Sequence, residues 1–239
     1  MSQHQILDSA THRDLRVRTE AATELGDGAM ACLTVPSEFR RVQNEFPIVF
    51  RRDLERGTFT ALDLMGFENG ENLFLENGQW VARYRPLALA IQPFLVGHTP
   101  DGEGPGQVHI DMGHPRIAEG EDGLRLVDER GRPTPYLEAI AERLGELDQG
   151  YRHSADFFAA LESYELLEPF SLDIELDDGS KHRMVGYHVI DEDKLRALGA
   201  AELGDLHRDG HLLPMFMALA SLSNISALVE RKNRRVANA

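Results

Sequence analysis

The chain has 239 residues, 42% of them hydrophobic, and this length and composition predict one compact domain rather than several independent modules. It carries 40 acidic against 25 basic side chains, and the net charge of −15 disfavours binding to the phosphate backbone of nucleic acids. The single cysteine, Cys32, excludes an internal disulfide, and its apolar neighbours are typical of a buried, unreactive thiol.

The N-terminal sequence does not predict a secretory signal, because no basic leader precedes an apolar run. The most apolar stretch, residues 212–222, is about half as long as the roughly 20 residues that span a bilayer, and Pro214 and Ser221 interrupt it. We therefore expect a cytoplasmic protein without a membrane span. Export by a route that uses no N-terminal signal stays as an alternative.

The first 28 residues are mainly polar, and we interpret them as an N-terminal arm in front of a single domain at residues 29–239. Within the arm, residues 15–18 show the alternation of a short edge strand. The apolar run at residues 30–35 begins the domain. A helical turn is predicted at residues 39–43, with Ser37 in a position to cap it.

Short β-branched and aromatic runs predict strands at residues 48–50 and 58–62. A hairpin is predicted next, in which residues 72–75 pair with residues 80–84. The turn between them contains Asn77-Gly78, and this dipeptide readily adopts the positive φ angles of a type I′ turn.

The apolar run at residues 87–96 predicts a further strand, and Pro93 places it at a sheet edge or a bulge. Residues 98–106 are dense in glycine, proline and acid, which predicts a loop. Two more strands are predicted at residues 108–112 and 124–127 by their alternating pattern.

Helical periodicity begins at Thr134, which can cap a helix that has Pro135 at its first position. Gly150 is expected to break this helix, and the helical stripe resumes at residues 157–164. A second hairpin follows, with strands at residues 170–176 and 182–190.

After this hairpin, Asp191 is predicted to cap a short helix. A long final helix at residues 212–231 is apolar nearly all round at its start, which predicts that it packs into the body. Its basic end is expected to complement the helix dipole. The sequence thus predicts an α+β fold, with a mainly antiparallel β-sheet in the first half, a second hairpin, and helices concentrated in the C-terminal half.

Short motifs spread over most of the chain beyond residue 30 carry a family resemblance. They are Pro36-Ser37-Glu38-Phe39, Glu45-Phe46-Pro47, Gly70-Glu71-Asn72-Leu73-Phe74 with Trp80, Tyr84-Arg85-Pro86, Leu126-Val127-Asp128, Asp191-Glu192-Asp193 and Leu213-Pro214-Met215-Phe216. In these motifs the chain resembles the SapC family, bacterial proteins named from a surface-layer locus. The resemblance implies a surface-layer-associated or accessory role, and it brings no catalytic residues.

One pattern suggests an enzyme. His109 and Asp111 are two apart in a predicted strand and so share a face, and with His188 or His182 they match the two-histidine, one-carboxylate site of ferrous oxygenases. Against this, the alternation places His109 and Asp111 on the solvated side, opposite Ile110. A metal-dependent oxygenase is therefore the alternative function.

The first hypothesis is a non-enzymatic binding or accessory protein that needs no cofactor and docks a protein or peptide. Arginine and aromatic residues are typical anchors of interfaces, and they are concentrated at residues 38–94. The candidate binding residues are Arg51, Trp80, Arg83, Tyr84, Arg85 and Phe94. The competing interpretation is a solvated face on which the arginines pair with Glu38, Glu45, Asp53 and Glu55.

Overall fold

The structure, a computed structural model, describes residues 3–55, 57–98, 106–118 and 120–238. Its sheets are antiparallel and its helices lie mostly in the C-terminal half, which confirms the α+β prediction. The chain forms two compact units. The first unit comprises Met1–Gly28, Leu75–Val81 and Leu87–Gln149, and the second comprises Ala29–Phe74, Ala82–Pro86 and Gly150–Ala239.

The described residues contain short strands and helices of very different length. The strands are β1 (His4–Ile6), β2 (Arg16–Val17), β3 (Ala31–Thr34), β4 (Ile48–Arg52), β5 (Phe59–Leu64), β6 (Leu75–Glu76), β7 (Gln79–Trp80), β8 (Phe94–Gly97), β9 (Gln107–Asp111), β10 (Leu124–Arg125), β11 (Leu167–Glu175) and β12 (Lys181–Ile190). The α-helices are α1 (Phe39–Val42), α2 (Leu87–Ala90), α3 (Pro135–Ser163), α4 (Glu192–Ala197), α5 (Ala200–Arg208), α6 (Leu212–Ser221) and α7 (Asn224–Ala237).

The first unit is built on a three-stranded sheet in the order β1-β9-β8, with β10-β2 and β6-β7 as separate pairs. Its apolar core includes Val17, Phe94, Ile110 and Ile140, all buried. The N-terminal stretch that the sequence suggested as an arm belongs to this unit, because it supplies both β1 and β2. The loop predicted at residues 98–106 lies largely outside the described residues.

The second unit is built on a five-stranded sheet in the order β11-β12-β4-β5-β3. Strand β5 is central among β4, β5 and β3, and five of its six residues are buried. Phe157 of α3 packs against Phe39 and Phe50, with ring centroids 6.0 and 6.4 Å away. This aromatic cluster forms the core above the sheet.

Both predicted hairpins are present, but they differ in length. β11 and β12 pair over most of their residues, whereas β6 and β7 pair over only two residues each. Asn77 and Gly78 have the positive φ angles that the turn requires, 50° and 72°. Residues beyond Trp80 leave the hairpin because the backbone N–H groups of Arg83 and Tyr84 bond to the Glu45 carboxylate instead.

Three element predictions are wrong. Residues 87–90 form helix α2 rather than a strand, and its Leu87 and Leu89 are buried. Pro93 directly precedes β8, an edge strand of its sheet, so the edge prediction is confirmed.

The second wrong prediction concerns the long final helix, which is two helices, α6 and α7. The hydroxyls of Ser221 and Ser223 donate to carbonyls three residues back, which favours a break there.

The third wrong prediction concerns Gly150, which does not break α3. The helix begins where predicted, with the Thr134 hydroxyl accepting a hydrogen bond from the Leu137 N–H, and runs to Ser163 without interruption. Gly150 has another role: a Cβ atom there would lie 2.6 Å from both Ser37 Oγ and Val35 Cγ2. The missing side chain therefore allows α3 to pack closely against the residues that precede α1.

We expect Gly150→Ala to lower the free energy of unfolding by about 1–3 kcal/mol, because the buried, β-branched Val35 has little room to move. Gly145 in the same helix is the matched control, since a Cβ there meets nothing within 4 Å. Gly145→Ala should raise stability by about 0.5–1 kcal/mol through helix propensity. Urea unfolding followed by circular dichroism measures both changes, and equal shifts for the two variants would refute the packing role.

Candidate functional site

A buried carboxylic acid lies on the central strand of the second unit. Asp63 of β5 is paired in register with Cys32 of β3 and Ile48 of β4, and it is fully buried. Neither of its carboxylate oxygens has a hydrogen-bond partner among the residues that the structure describes. Burial raises the pKa of Asp63 well above its ordinary value, and the nearby charge of Glu38 raises it further. Polar contacts that fall short of hydrogen-bond geometry, from the backbone of Asp63 and Cys32 and from the Cys32 thiol, offset this only in part.

Glu38, the second buried acid, is fully enclosed but has hydrogen-bond partners. The Tyr84 hydroxyl donates to its Oε1 at 2.7 Å, and the Thr34 hydroxyl donates to its Oε2 at 3.2 Å. Thr34 is two residues from Cys32 on β3, so both side chains and that of Asp63 share one face of the sheet. The two carboxyl groups therefore belong to one buried polar cluster, made of Cys32, Thr34, Glu38, Asp63 and Tyr84.

The chemistry open to this cluster is proton storage. A buried carboxylate without partners is costly, and the charge of Glu38 makes the ionised form of Asp63 costlier still. Asp63 consequently holds its proton at a pH at which an exposed aspartate has lost it. Since Asp63 and Glu38 are both 0% exposed, neither carboxyl group is in contact with solvent in this conformation.

The six predicted binding residues are divided between the two units. Arg51, Arg83, Tyr84 and Arg85 belong to the second unit, whereas Trp80 and Phe94 belong to the first. Arg51 and Arg83 are exposed, Trp80, Tyr84 and Arg85 are half-buried, and Phe94 is only 3% exposed. Phe94 is thus a core residue of its unit. The binding role of the remaining five stays a prediction.

The pairing of these arginines with nearby acids also stays a prediction, but two of those acids, Glu38 and Glu45, contact the same stretch. Glu45 accepts hydrogen bonds from the backbone of Arg83 and Tyr84, and the Arg41 guanidinium lies 5.1 Å above the Tyr84 ring. Glu45 and Glu38 therefore help to hold the segment at residues 82–86 in place, through its backbone and through the Tyr84 hydroxyl. Sequence reasoning named the right residues here but not their contacts.

The residues of the suggested iron site belong to different units of the chain. His109 and Asp111 are on β9 of the first unit, and His188 is on β12 of the second. Asp111 accepts hydrogen bonds from the backbone N–H groups of Gln3 and Gly113, and the Gln3 bond is the main reason why its pKa is lowered. Within the described ranges, no group of three histidine, cysteine or acidic side chains could hold a metal ion.

The two candidate histidines of the second unit have structural contacts. The His188 ring packs edge-on against Phe59 at 5.0 Å, and burial lowers its pKa, with a further contribution from the charge of Arg52. His182 Nδ1 lies 3.1 Å from a carboxylate oxygen of Glu68. Each histidine therefore already has a neighbour that explains its position.

Sequence reasoning missed an exposed apolar surface on α6. That helix was expected to pack into the body all round, but Leu213 and Phe216 are 54% and 52% exposed. Its other face is buried through Met215, Met217 and Ala218. By length and composition alone the stretch Leu212–Ala237 could also cross a membrane, and 28% of its most apolar window is buried.

The exposed face of α6 forms one wall of a groove of about 510 Å³. The groove has five apolar lining residues, Leu195, Leu203, Phe216, Leu219 and Ala220, with Glu192 and Arg196 as its charged residues. Arg196 pairs with Glu192 at 2.6 Å and with Asp193 at 2.8 Å. We call this depression, bounded by α4, α5 and α6 of the second unit, the α6 groove.

Comparison with known proteins gives one finding. A model of the SapC family matches residues 7–228, which include the buried polar cluster and the α6 groove. No curated protein and no solved structure matches the chain.

Replacing Asp63 by asparagine tests whether this residue stores a proton. Because its pKa is raised, Asp63 in the folded state keeps a proton that the unfolded chain releases above about pH 4. The free energy of unfolding of the wild type therefore falls as the pH rises from about 4 towards the pKa of the folded state. We expect Asp63→Asn to flatten this fall and to be more stable than the wild type near pH 8. Urea unfolding between about pH 5 and pH 8 provides the measurement.

The control for this experiment is Asp173→Asn, since the Asp173 side chain is 74% exposed on β11. Its stability should follow the wild-type pH dependence closely. An Asp63→Asn variant that loses stability with rising pH as steeply as the wild type would show that Asp63 ionises normally.

Proposed function

The chain belongs to the SapC family, and we propose that it is a non-enzymatic binding or accessory protein that docks a protein partner through the α6 groove. One observation carries the proposal: Phe216, a large aromatic side chain, is half exposed at the edge of a mainly apolar groove. Burying a phenylalanine side chain is worth roughly 1.5–3 kcal/mol, so exposure of Phe216 forgoes part of that stabilisation until a partner covers it.

The composition of the groove supports this role. Phe216 and Arg196 are an aromatic residue and an arginine at its edge, the residue types that most often anchor protein interfaces. Leu213, one turn before Phe216 on the same face of α6, extends the apolar surface beyond the groove. An apolar patch with charged residues at its rim is the usual appearance of a binding surface on a folded protein.

The local contacts give less support to an oxygenase. One carboxylate oxygen of Asp111, Oδ1, accepts two backbone hydrogen bonds, and the other, Oδ2, lies 3.9 Å from His4 Nε2, so local contacts account for the position of this side chain. The two buried acids Asp63 and Glu38 are fully enclosed, and the charge of Glu38 favours the protonated form of Asp63. A binding role requires none of these groups to react.

Capture of partners from the native cell tests the proposal. We expect Phe216→Asp to reduce the amount of captured partner at least tenfold, because an aspartate in the apolar groove would be desolvated by any partner that covers it. Quantitative mass spectrometry of proteins retained on the immobilised full chain provides the measurement.

Val185→Asp is the matched control, because Val185 is an equally exposed apolar residue, at 59%, on strand β12. It should retain the same partners as the wild type in the same amounts. A set of retained proteins that is unchanged by Phe216→Asp, or reduced equally by both substitutions, would remove the α6 groove as the docking site.

A further inference from the structure

We propose that the occupant of the α6 groove is an amphipathic helix of a partner protein, with basic residues flanking its apolar stripe. This inference rests on the proposed function and specifies the chemistry of the partner. Three features of the groove support a basic, helical occupant: its walls are helices, its exposed apolar residues have helical spacing, and the segment that supplies two of its walls has a surplus of negative charge.

The walls of the groove favour a helical occupant over an extended one. An extended peptide leaves its backbone N–H and C=O groups unpaired unless a sheet edge or a loop accepts them. The residues that line the groove all belong to helices, whose interior N–H groups bond within the helix. The helix starts are also satisfied: Asp191 accepts from the Lys194 N–H, and Glu202 accepts from the Gly199 N–H. A helix satisfies its own backbone and needs only side-chain contacts.

The spacing of the exposed residues provides a helix-sized ridge. Leu213, Phe216 and Ala220 are exposed on α6 at positions i, i+3 and i+7, so they form a continuous stripe about two turns long. Leu195 of α4 and Leu203 of α5 line the groove beside this stripe. Helices pack by inserting such ridges into the grooves of their neighbours, and the apolar stripe of an incoming helix would fill the depression.

The charge of the rim favours a basic partner. Residues 191–209, which contain α4 and α5, carry six carboxylates and only three cationic side chains of lysine or arginine. Each of these cations already has an acidic or carbonyl partner: Arg196 pairs with Glu192, Arg208 pairs with Asp205, and Lys194 donates to the Glu165 carbonyl. The segment that supplies the α4 and α5 walls therefore has a surplus of three negative charges, although the groove lining itself holds one acid and one base, and lysine or arginine flanks on the partner would complement that surplus.

The same charge argues against two other occupants. A second copy of the chain would bring the same acidic rim against this one, since its net charge is also −15. An anionic membrane surface would be repelled for the same reason. Both remain as outcomes that the experiment below distinguishes.

Three labelled synthetic peptides test the inference with the full chain. The first has leucine at positions i, i+3, i+4 and i+7 and lysine elsewhere, the second has glutamate in place of lysine, and the third is a scrambled version of the first. By fluorescence anisotropy, we expect the first peptide to bind at least tenfold more tightly than the other two. Phe216→Asp should weaken its binding at least tenfold, and Val185→Asp should leave it unchanged.

Each other outcome identifies what is wrong. Equal binding of the lysine and glutamate peptides would show that the partner need not be basic. Equal binding of the first peptide and its scrambled version would show that the partner need not be an amphipathic helix. In both cases the α6 groove would remain the docking site if Phe216→Asp still weakens binding. Binding that Phe216→Asp does not affect would overturn the proposed docking site itself. If the chain self-associates and Phe216→Asp abolishes this, the occupant is a second copy rather than a helix of another protein. If the chain sediments with neutral phosphatidylcholine vesicles and Phe216→Asp abolishes this, the occupant is a membrane.

Discussion

The hydrogen bonds to the buried Glu38 carboxylate connect three separate stretches of the second unit. Thr34 comes from strand β3, Glu38 directly precedes α1, and Tyr84 comes from the short segment at residues 82–86. A fully buried carboxylate is unfavourable unless its oxygens are hydrogen-bonded, so these contacts must form together. The Tyr84 hydroxyl bond to Glu38 and the backbone bonds to Glu45 both help to position the 82–86 segment, and with it the exposed Arg83.

A second buried charge stabilises the same unit through the C-terminal helix. Lys232 of α7 is 7% exposed and donates to Glu71 at 2.7 Å and to Glu68 at 3.2 Å. Burial lowers the pKa of Lys232, but the hydrogen bonds and charges of the two glutamates outweigh it, and the pKa is raised. Arg235 adds a hydrogen bond to the Asn72 carbonyl. The basic end of the chain thus holds the loop at residues 68–72, a role beyond complementing the helix dipole.

Much of the fold could be predicted from sequence because the signals were local. Asn77 and Gly78 determine one turn through positive φ angles, Gly179 does so in another, and Asp191 caps α4 through its own side chain. The errors arose where a residue far away in the sequence determines the local structure. A glycine inside a helical pattern predicts a break, but Gly150 lies against Val35 and Ser37, which leave no room for a side chain. No local sequence pattern reveals that contact. The same holds for Asp63, since nothing in its sequence neighbourhood shows that it lacks a hydrogen-bond partner.

The candidate binding surface was missed for a related physical reason. Helix α6 is apolar on nearly every face, and periodicity identifies a buried side only when the other side is polar. Which apolar residues stay exposed is decided by where α1, α5, β4 and β12 pack against α6, and the α6 sequence does not show where they lie. Met215 and Phe216 illustrate this: they are adjacent and similarly apolar, yet one is fully buried and the other is half exposed. An exposed residue of this kind distinguishes a binding surface from a core only after the fold is known, and for that reason Phe216, rather than the arginine-rich stretch, carries the functional proposal.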